Sequence, residues 1–156
     1  MGRMYSIPFE AVAVSAAQDL WEVLAASGKN FTLHEIVVGQ SSDAGDTAAE
    51  MLGISIKRWI GGTSGSGGGT VTPAKHDTND AAAGATAEIN NTTQAVAGGG
   101  SLTTVRSECF NIQGGYQYLP APEQRITFLA AERCVVSVTL PADALTMSGT
   151  MVIEEH

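Results

Sequence analysis

The chain has 156 residues, which suits a single domain, and 44% of them are hydrophobic, too many for a chain that is disordered throughout. Eight Lys and Arg against sixteen Asp and Glu give a formal net charge of −8, and only 15% of the residues are charged. This balance argues against binding to the phosphates of DNA or RNA, which requires basic residues.

Apolar residues recur at every second position along much of the chain, which is typical of strands with one buried face. The predicted strands, in chain order, are 10–15, 19–25, 33–40, 51–60, 102–110, 114–118, 126–128, 133–140 and 147–153. Turn-forming residues separate several of them, at 27–30, 41–46 and 141–144.

Short strands at this spacing predict an all-β fold, an antiparallel β-sandwich with jelly-roll-like connections, formed by residues 1–156 as one domain. The alternation also predicts which side chains face the core. They are Leu52, Ile54, Ile56, Ile126, Phe128, Cys134, Val136 and Val138.

Residues 61–100 interrupt the strand pattern. They hold ten Gly, eight Ala and only four charged residues, and no aromatic residue lies between Trp59 and Phe110. The run 61–69 has the composition of a flexible linker. Because a structureless loop of this length is unusual inside a compact domain, we predict an inserted flexible arm that a partner orders. An ordinary surface loop is the alternative.

Strand-forming residues in and beside this arm are the candidates for binding a partner, by adding to the edge of a neighbouring sheet. They are Trp59, Gly61, Thr70, Val71, Ile89 and Val96. Tyr116 and Tyr118 are further candidates, because residues two apart share one strand face. If exposed, this face would stack on sugars or anchor a protein interface; the alternative is packing beneath Pro120 and Pro122.

The sequence offers no motif for catalysis. The glycine run is not a phosphate-binding loop, because Gly69 is followed by Thr-Val-Thr-Pro instead of Lys-Ser/Thr and a helix. The histidines are far apart in sequence, and His34 is predicted to face the core or an interface together with Ile36 and Val38. We expect no catalytic residue, no cofactor and no required metal.

Three features leave alternatives open. Cys109 and Cys134 are predicted to be two buried free thiols, with a disulfide as the alternative. The acidic residues Asp43, Asp46 and Glu50 are typical of a turn, with a calcium site as the alternative. A single helical turn is predicted at 46–51.

Several strings of the chain resemble uncharacterised virion proteins of tailed bacteriophages. They are 38–46 (Val-Gly-Gln-Ser-Ser-Asp-Ala-Gly-Asp), 56–58 (Ile-Lys-Arg), the glycine-rich segment after it, 90–94 (Asn-Asn-Thr-Thr-Gln), 117–123 (Gln-Tyr-Leu-Pro-Ala-Pro-Glu) and 145–150 (Leu-Thr-Met-Ser-Gly-Thr). The likeness extends from about residue 9 to residue 155.

The resemblance implies a capsid accessory protein of the cement or decoration type. Such a protein would bind the major capsid protein or other virion proteins, as a dimer or trimer, and would contact neither nucleic acid nor membrane. It would be made in the host cytoplasm and would lie on the outer surface of the capsid. Two alternatives stay open: a neck, tail or spike component, and a carbohydrate-binding β-sandwich module.

Overall fold

A computed structural model describes residues 2–42 and 50–156. Within them the chain forms twelve strands and one 3₁₀ turn, Pro122–Gln124. The strands are β1 (Arg3–Val14), β2 (Gln18–Leu24), β3 (Phe31–Gln40), β4 (Met51–Ile60), β5 (Gly69–Val71), β6 (Ala74–Lys75), β7 (Thr86–Asn91), β8 (Ser101–Asn111), β9 (Tyr116–Tyr118), β10 (Ile126–Phe128), β11 (Arg133–Val138) and β12 (Leu145–Glu155).

The strands form two antiparallel sheets of six strands each. The first sheet has the order β10-β3-β12-β1-β6, and β9 also pairs with β3. The second sheet has the order β5-β7-β2-β11-β4-β8. The predicted all-β sandwich is therefore confirmed, while its jelly-roll connectivity stays a prediction. No helix in the described ranges is long and apolar enough to cross a membrane.

The nine predicted strands are all present, and the sequence prediction missed β5, β6, β7 and the first half of β1. Pro8 is compatible with β1 because the β1–β6 pairing involves only Tyr5 and Ser6, which leaves Pro8 with β12 as its one neighbouring strand. The predicted helical turn at 46–51 cannot extend to Met51, which begins β4; residues 43–49 lie outside the described residues.

The core lies between the two sheets. All eight side chains predicted to face it are buried, which confirms the alternation of β4, β10 and β11. At its centre the Trp21 indole NH donates a hydrogen bond to the Ile7 carbonyl at 2.9 Å, and its ring lies 4.7 Å from that of Phe9. A Cβ on Gly149 would come within 2.8 Å of Trp21 Cη2, so glycine at this position makes room for the indole.

Residues 61–100 differ from the predicted flexible arm. β5 and β7 extend the second sheet beyond β2, and β6 pairs with β1 in the first sheet. Residues 61–68 and 92–98 run antiparallel, joined by bridges between Thr63 and Val96 and between Ser66 and Thr93. We call these two stretches the glycine-rich cover. The sequence prediction failed here because polar contacts, and not apolar alternation, hold the segment in place.

Candidate functional site

The glycine-rich cover lies over the outer face of the second sheet, where β2 carries two buried carboxylates, Asp19 and Glu22. Strict alternation would place these two residues on opposite faces. β2 has a bulge at Leu20, so Asp19 pairs with Ser137 and Glu22 with Val135. Because the two partners on β11 are two residues apart, both carboxylates face the cover.

The Asp19 carboxylate binds one end of the cover. It accepts hydrogen bonds from the Ala95 amide at 2.7 Å, the Ser137 hydroxyl at 2.5 Å and the Gln94 side-chain amide at 3.4 Å. Burial raises the pKa of Asp19 above its ordinary value, and the hydrogen bonds from Ser137 and Ala95 partly oppose that rise.

The Glu22 carboxylate binds the opposite strand of the cover. One oxygen accepts from the Gly65 amide at 2.9 Å and from the Asn91 side-chain amide at 2.7 Å. The other oxygen forms an ion pair with Arg133 at 2.5 Å. The Arg133 guanidinium also lies 5.1 Å from the centre of the Trp59 ring, whose NH donates to the Thr63 carbonyl.

A third buried carboxylate, Glu155 near the end of β12, anchors the start of β7. One oxygen accepts from the amides of Gly84 and Ala85, both at 2.8 Å, and the other pairs with Lys29 at 2.8 Å. The three carboxylates therefore attach residues 61–100 to the sandwich at separate points, through backbone amides that would otherwise be buried without partners.

Gly65 and Gly68 are two of the glycines in this segment at which a neighbouring group leaves no room for a Cβ. A Cβ on Gly65 would lie 2.1 Å from the Glu22 carboxylate oxygen, and one on Gly68 would lie 2.1 Å from the Ile89 carbonyl oxygen. The glycine content that resembles a linker thus allows the backbone to lie directly on the polar face of the second sheet.

The structure separates the predicted partner-binding residues into two groups. Gly61, Thr70 and Val96 are exposed. Val71 and Ile89 are half-buried and pack against the core, and Trp59 is half-buried beside Arg133. These last three residues are held by contacts within the chain, so they are not exposed for binding to a neighbouring protein.

Tyr116 and Tyr118 are also corrected by the structure, because both are buried. Tyr116 packs against Phe110 with ring centres 5.7 Å apart, and the Arg106 guanidinium lies 5.1 Å from the centre of the Tyr118 ring. Their shared face points into the sandwich, while packing beneath Pro120 and Pro122 stays a prediction. The pair does not form an exposed platform for sugars or for a protein partner.

His34 does not share a face with Ile36 and Val38 as predicted. A bulge in the pairing of β3 with β12 leaves His34 between the paired residues Leu33 and Glu35. The ring nitrogen Nε2 lies 2.8 Å from a carboxylate oxygen of Glu154. His34 therefore takes part in a partly buried polar pair with Glu154, because the bulge reverses the side to which the following residues point.

The expectations for the two cysteines and for a metal site have different outcomes. Cys109 and Cys134 are free thiols, and only Cys134 is buried. Within residues 2–42 and 50–156, no group of three or more His, Cys, Asp or Glu side chains could hold a metal ion. Asp43 and Asp46 of the calcium alternative lie outside the described residues.

Apolar side chains are exposed at both ends of β4, on opposite faces of the strand. Met51 is 59% exposed at the start of the strand and Ile60 is 46% exposed at its end. Leu140 follows Thr139, whose amide bonds to the Gly53 carbonyl near Met51. Val96 bonds to Thr63, three residues beyond Ile60. We name the two exposed regions by these residues, the Met51–Leu140 patch and the Ile60–Val96 patch, because the backbone bonds bring the two segments of each region together.

Sequence reasoning did not find the buried carboxylates. The sequence feature that could have indicated them is a pair of acidic residues, Asp19 and Glu22, inside the apolar strand 18–24. The same chain also carries a long segment of small residues. No protein-family model, curated protein or solved structure matches this chain.

Proposed function

We propose that this chain is a structural protein of a tailed-bacteriophage virion, a capsid cement or decoration protein that binds the lattice of the major capsid protein. The observation that carries the proposal is the pair of apolar patches, Met51–Leu140 and Ile60–Val96, at opposite ends of one strand. A cement protein must contact two neighbouring subunits at once, and this geometry suits that task.

The two patches are held at a fixed separation. Met51 and Ile60 are about 30 Å apart, because a strand rises ~3.3 Å per residue. β4 is paired with β8 from Met51 to Ile60 and with β11 from Ile54 to Trp59, so the strand cannot shorten or bend without breaking these ladders. Many such weak contacts, repeated over a capsid lattice, would add up to firm attachment.

The charge distribution supports a position on the outer surface, away from packaged DNA. Five of the eight Lys and Arg residues form ion pairs with the chain's own carboxylates: Arg3, Lys29, Arg58, Arg106 and Arg133. The surface therefore offers few unpaired cations for phosphate contacts.

The test measures binding to purified capsids of the parent phage by co-sedimentation. Met51→Asp and Ile60→Asp each place a charge in one patch, and each is expected to weaken binding by about tenfold or more, as loss of a buried apolar anchor does. Leu119→Asp is the matched control, since Leu119 is 67% exposed and belongs to neither patch.

Saturation at a stoichiometry that matches the capsid lattice would support the proposal. Binding of the wild-type chain to isolated tails or necks, and not to capsids, would show the tail or neck alternative to be right. Unchanged capsid binding by both patch variants would refute the role of the patches.

A further inference from the structure

β8 is the longest described strand that pairs with a single neighbour over its whole length. It has eleven residues and pairs only with β4, whereas the other edge strands, β5, β6, β9 and β10, have two or three residues each. Proteins commonly keep exposed edges short, because unpaired backbone groups along an edge can pair with another strand. An edge of eleven residues is therefore available for pairing.

The direction of the backbone shows which groups on β8 are available. The Ile112 amide donates to the Glu50 carbonyl at 3.1 Å, next to the Met51–Asn111 pair that begins the β4–β8 ladder. In an antiparallel ladder every second residue bonds to the same neighbour. The amide and carbonyl of Ser107 and of Cys109 therefore point away from β4, toward the open edge.

The side chains on either side of Ser107 carry opposite charges. Arg106 and Glu108 pair with Ile56 and Ile54 of β4, so both lie on the face of β8 that is directed toward the other sheet. They form an ion pair with each other at the rim of the sandwich. Their side chains are 38% and 37% exposed, so both remain accessible to a strand placed beside β8.

We propose that β8 is the docking edge for a second copy of this chain, which pairs with it antiparallel about a two-fold axis at Ser107. In this register Arg106 of each copy lies directly opposite Glu108 of the other copy. Two opposite-charge contacts then form across the axis, and the outward amide and carbonyl of Ser107 bond to those of the other Ser107.

Neighbouring registers are less favourable. An axis at Glu108 places the two Glu108 carboxylates opposite each other, and an axis at Arg106 does the same for the guanidinium groups. An axis at Cys109 places Glu108 opposite the apolar Phe110. Charge complementarity therefore selects the axis at Ser107. The β-bulge at Val105 limits the paired stretch to about residues 105–109.

This inference does not rest on the proposed capsid role. A chain that dimerises through β8 but does not bind capsids would refute the capsid proposal alone, and a monomeric chain that binds capsids would refute this inference alone.

The first test is a backbone substitution. Sedimentation of the wild-type chain over a concentration series reaching the millimolar range is expected to show a monomer–dimer equilibrium. Ser107→Pro removes the outward amide without removing a β4–β8 bond, and it is expected to abolish the dimer while the melting curve stays cooperative. Ser107→Ala keeps the amide and is expected to dimerise like the wild type.

The second test exchanges the charges. Arg106→Glu alone or Glu108→Arg alone places two like-charge contacts across the axis, and each is expected to raise the dimer dissociation constant about tenfold. The double variant restores opposite charges across the axis and is expected to recover most of the affinity. Additive losses in the double variant would overturn the register.

The third test traps the pair. Ser107→Cys, in a Cys109→Ser background, is expected to form a disulfide-linked dimer under mild oxidation, because residues paired across a two-fold axis lie within disulfide reach. The wild-type Cys109 is expected not to cross-link, since it lies opposite Val105 of the other copy. A wild-type chain that stays monomeric at millimolar concentration, or a dimer that Ser107→Pro leaves intact, would overturn the proposal.

Discussion

Glu22→Ala is the sharpest test of how the glycine-rich cover is held. The substitution removes the acceptor for the Gly65 amide and the Asn91 side chain and the counter-ion of Arg133. The Glu22 side chain is fully buried and that of Arg133 is 11% exposed, so water cannot readily replace the lost partners.

The expected loss of unfolding free energy is about 3–5 kcal/mol, the usual cost of removing one partner of a buried ion pair. The unpaired Gly65 amide alone would cost ~1–3 kcal/mol, and this cost overlaps the first because both belong to one network. Since small domains are stable by only about 5–15 kcal/mol, the loss is a large share of the total.

Urea unfolding followed by tryptophan fluorescence measures this difference, because Trp21 lies in the core and Trp59 lies beside Arg133. Glu88→Ala is the matched control. Glu88 accepts from the same Asn91 side chain at 3.0 Å but is only half-buried, so its removal is expected to cost less than about 1 kcal/mol.

Limited proteolysis provides an independent measurement under native conditions. Glu22→Ala is expected to increase cleavage within residues 61–68 compared with Glu88→Ala, because the cover loses its anchor at Gly65. If Glu22→Ala is as stable as Glu88→Ala and is cleaved at the same rate, the carboxylate does not hold the cover and the reasoning fails.

Further expectations concern the core, the acid range, the thiols and the segment itself. Val136→Asp is expected to prevent folding because it buries an unpaired charge; a soluble variant that unfolds cooperatively would contradict the core assignment. The raised pKa of Asp19 means that the folded chain binds its proton more tightly than the unfolded chain, so the stability linked to this group is fully present below the unfolded pKa and falls as pH rises through the folded pKa. Asp19→Asn is expected to show no such decrease of the unfolding free energy with rising pH across the acid range. Identical pH profiles of the variant and the wild type would contradict this expectation. Cys109 is expected to react with a thiol reagent in the folded chain while Cys134 reacts only on unfolding, because burial raises the pKa of the Cys134 thiol; equal reaction rates would contradict this. Deleting 62–99 is expected to abolish cooperative unfolding, since it removes β7 from the side of β2 and uncovers its carboxylates, whereas a cooperative transition would restore the flexible-arm interpretation.

Alternation predicted most of the sandwich because its central strands each bury one apolar face. Leu52, Ile54 and Ile56 of β4 follow this rule and were identified from sequence. The alternate residues Cys134, Val136 and Val138 of β11 were identified in the same way, although Val135 and Ser137 on its other face are buried too. Prediction failed where bulges change the phase of the alternation. The bulges at Leu20 and beside His34 reverse the faces of the residues that follow, and no local sequence signal marks either bulge.

The amino-acid sequence by itself determined the class of fold, the positions of most long strands and the acidic, weakly charged surface. These properties follow from composition and from a period of two, both of which are local. Only the tertiary structure decided the role of residues 61–100, because the partners that hold them are distant in sequence. The backbone amides of Gly65, Ala95 and Ala85 donate hydrogen bonds to the carboxylates of Glu22, Asp19 and Glu155, respectively. A glycine-rich segment has the same composition whether it is free or bound through its backbone, so its order depends on where the fold places acceptors for its amides.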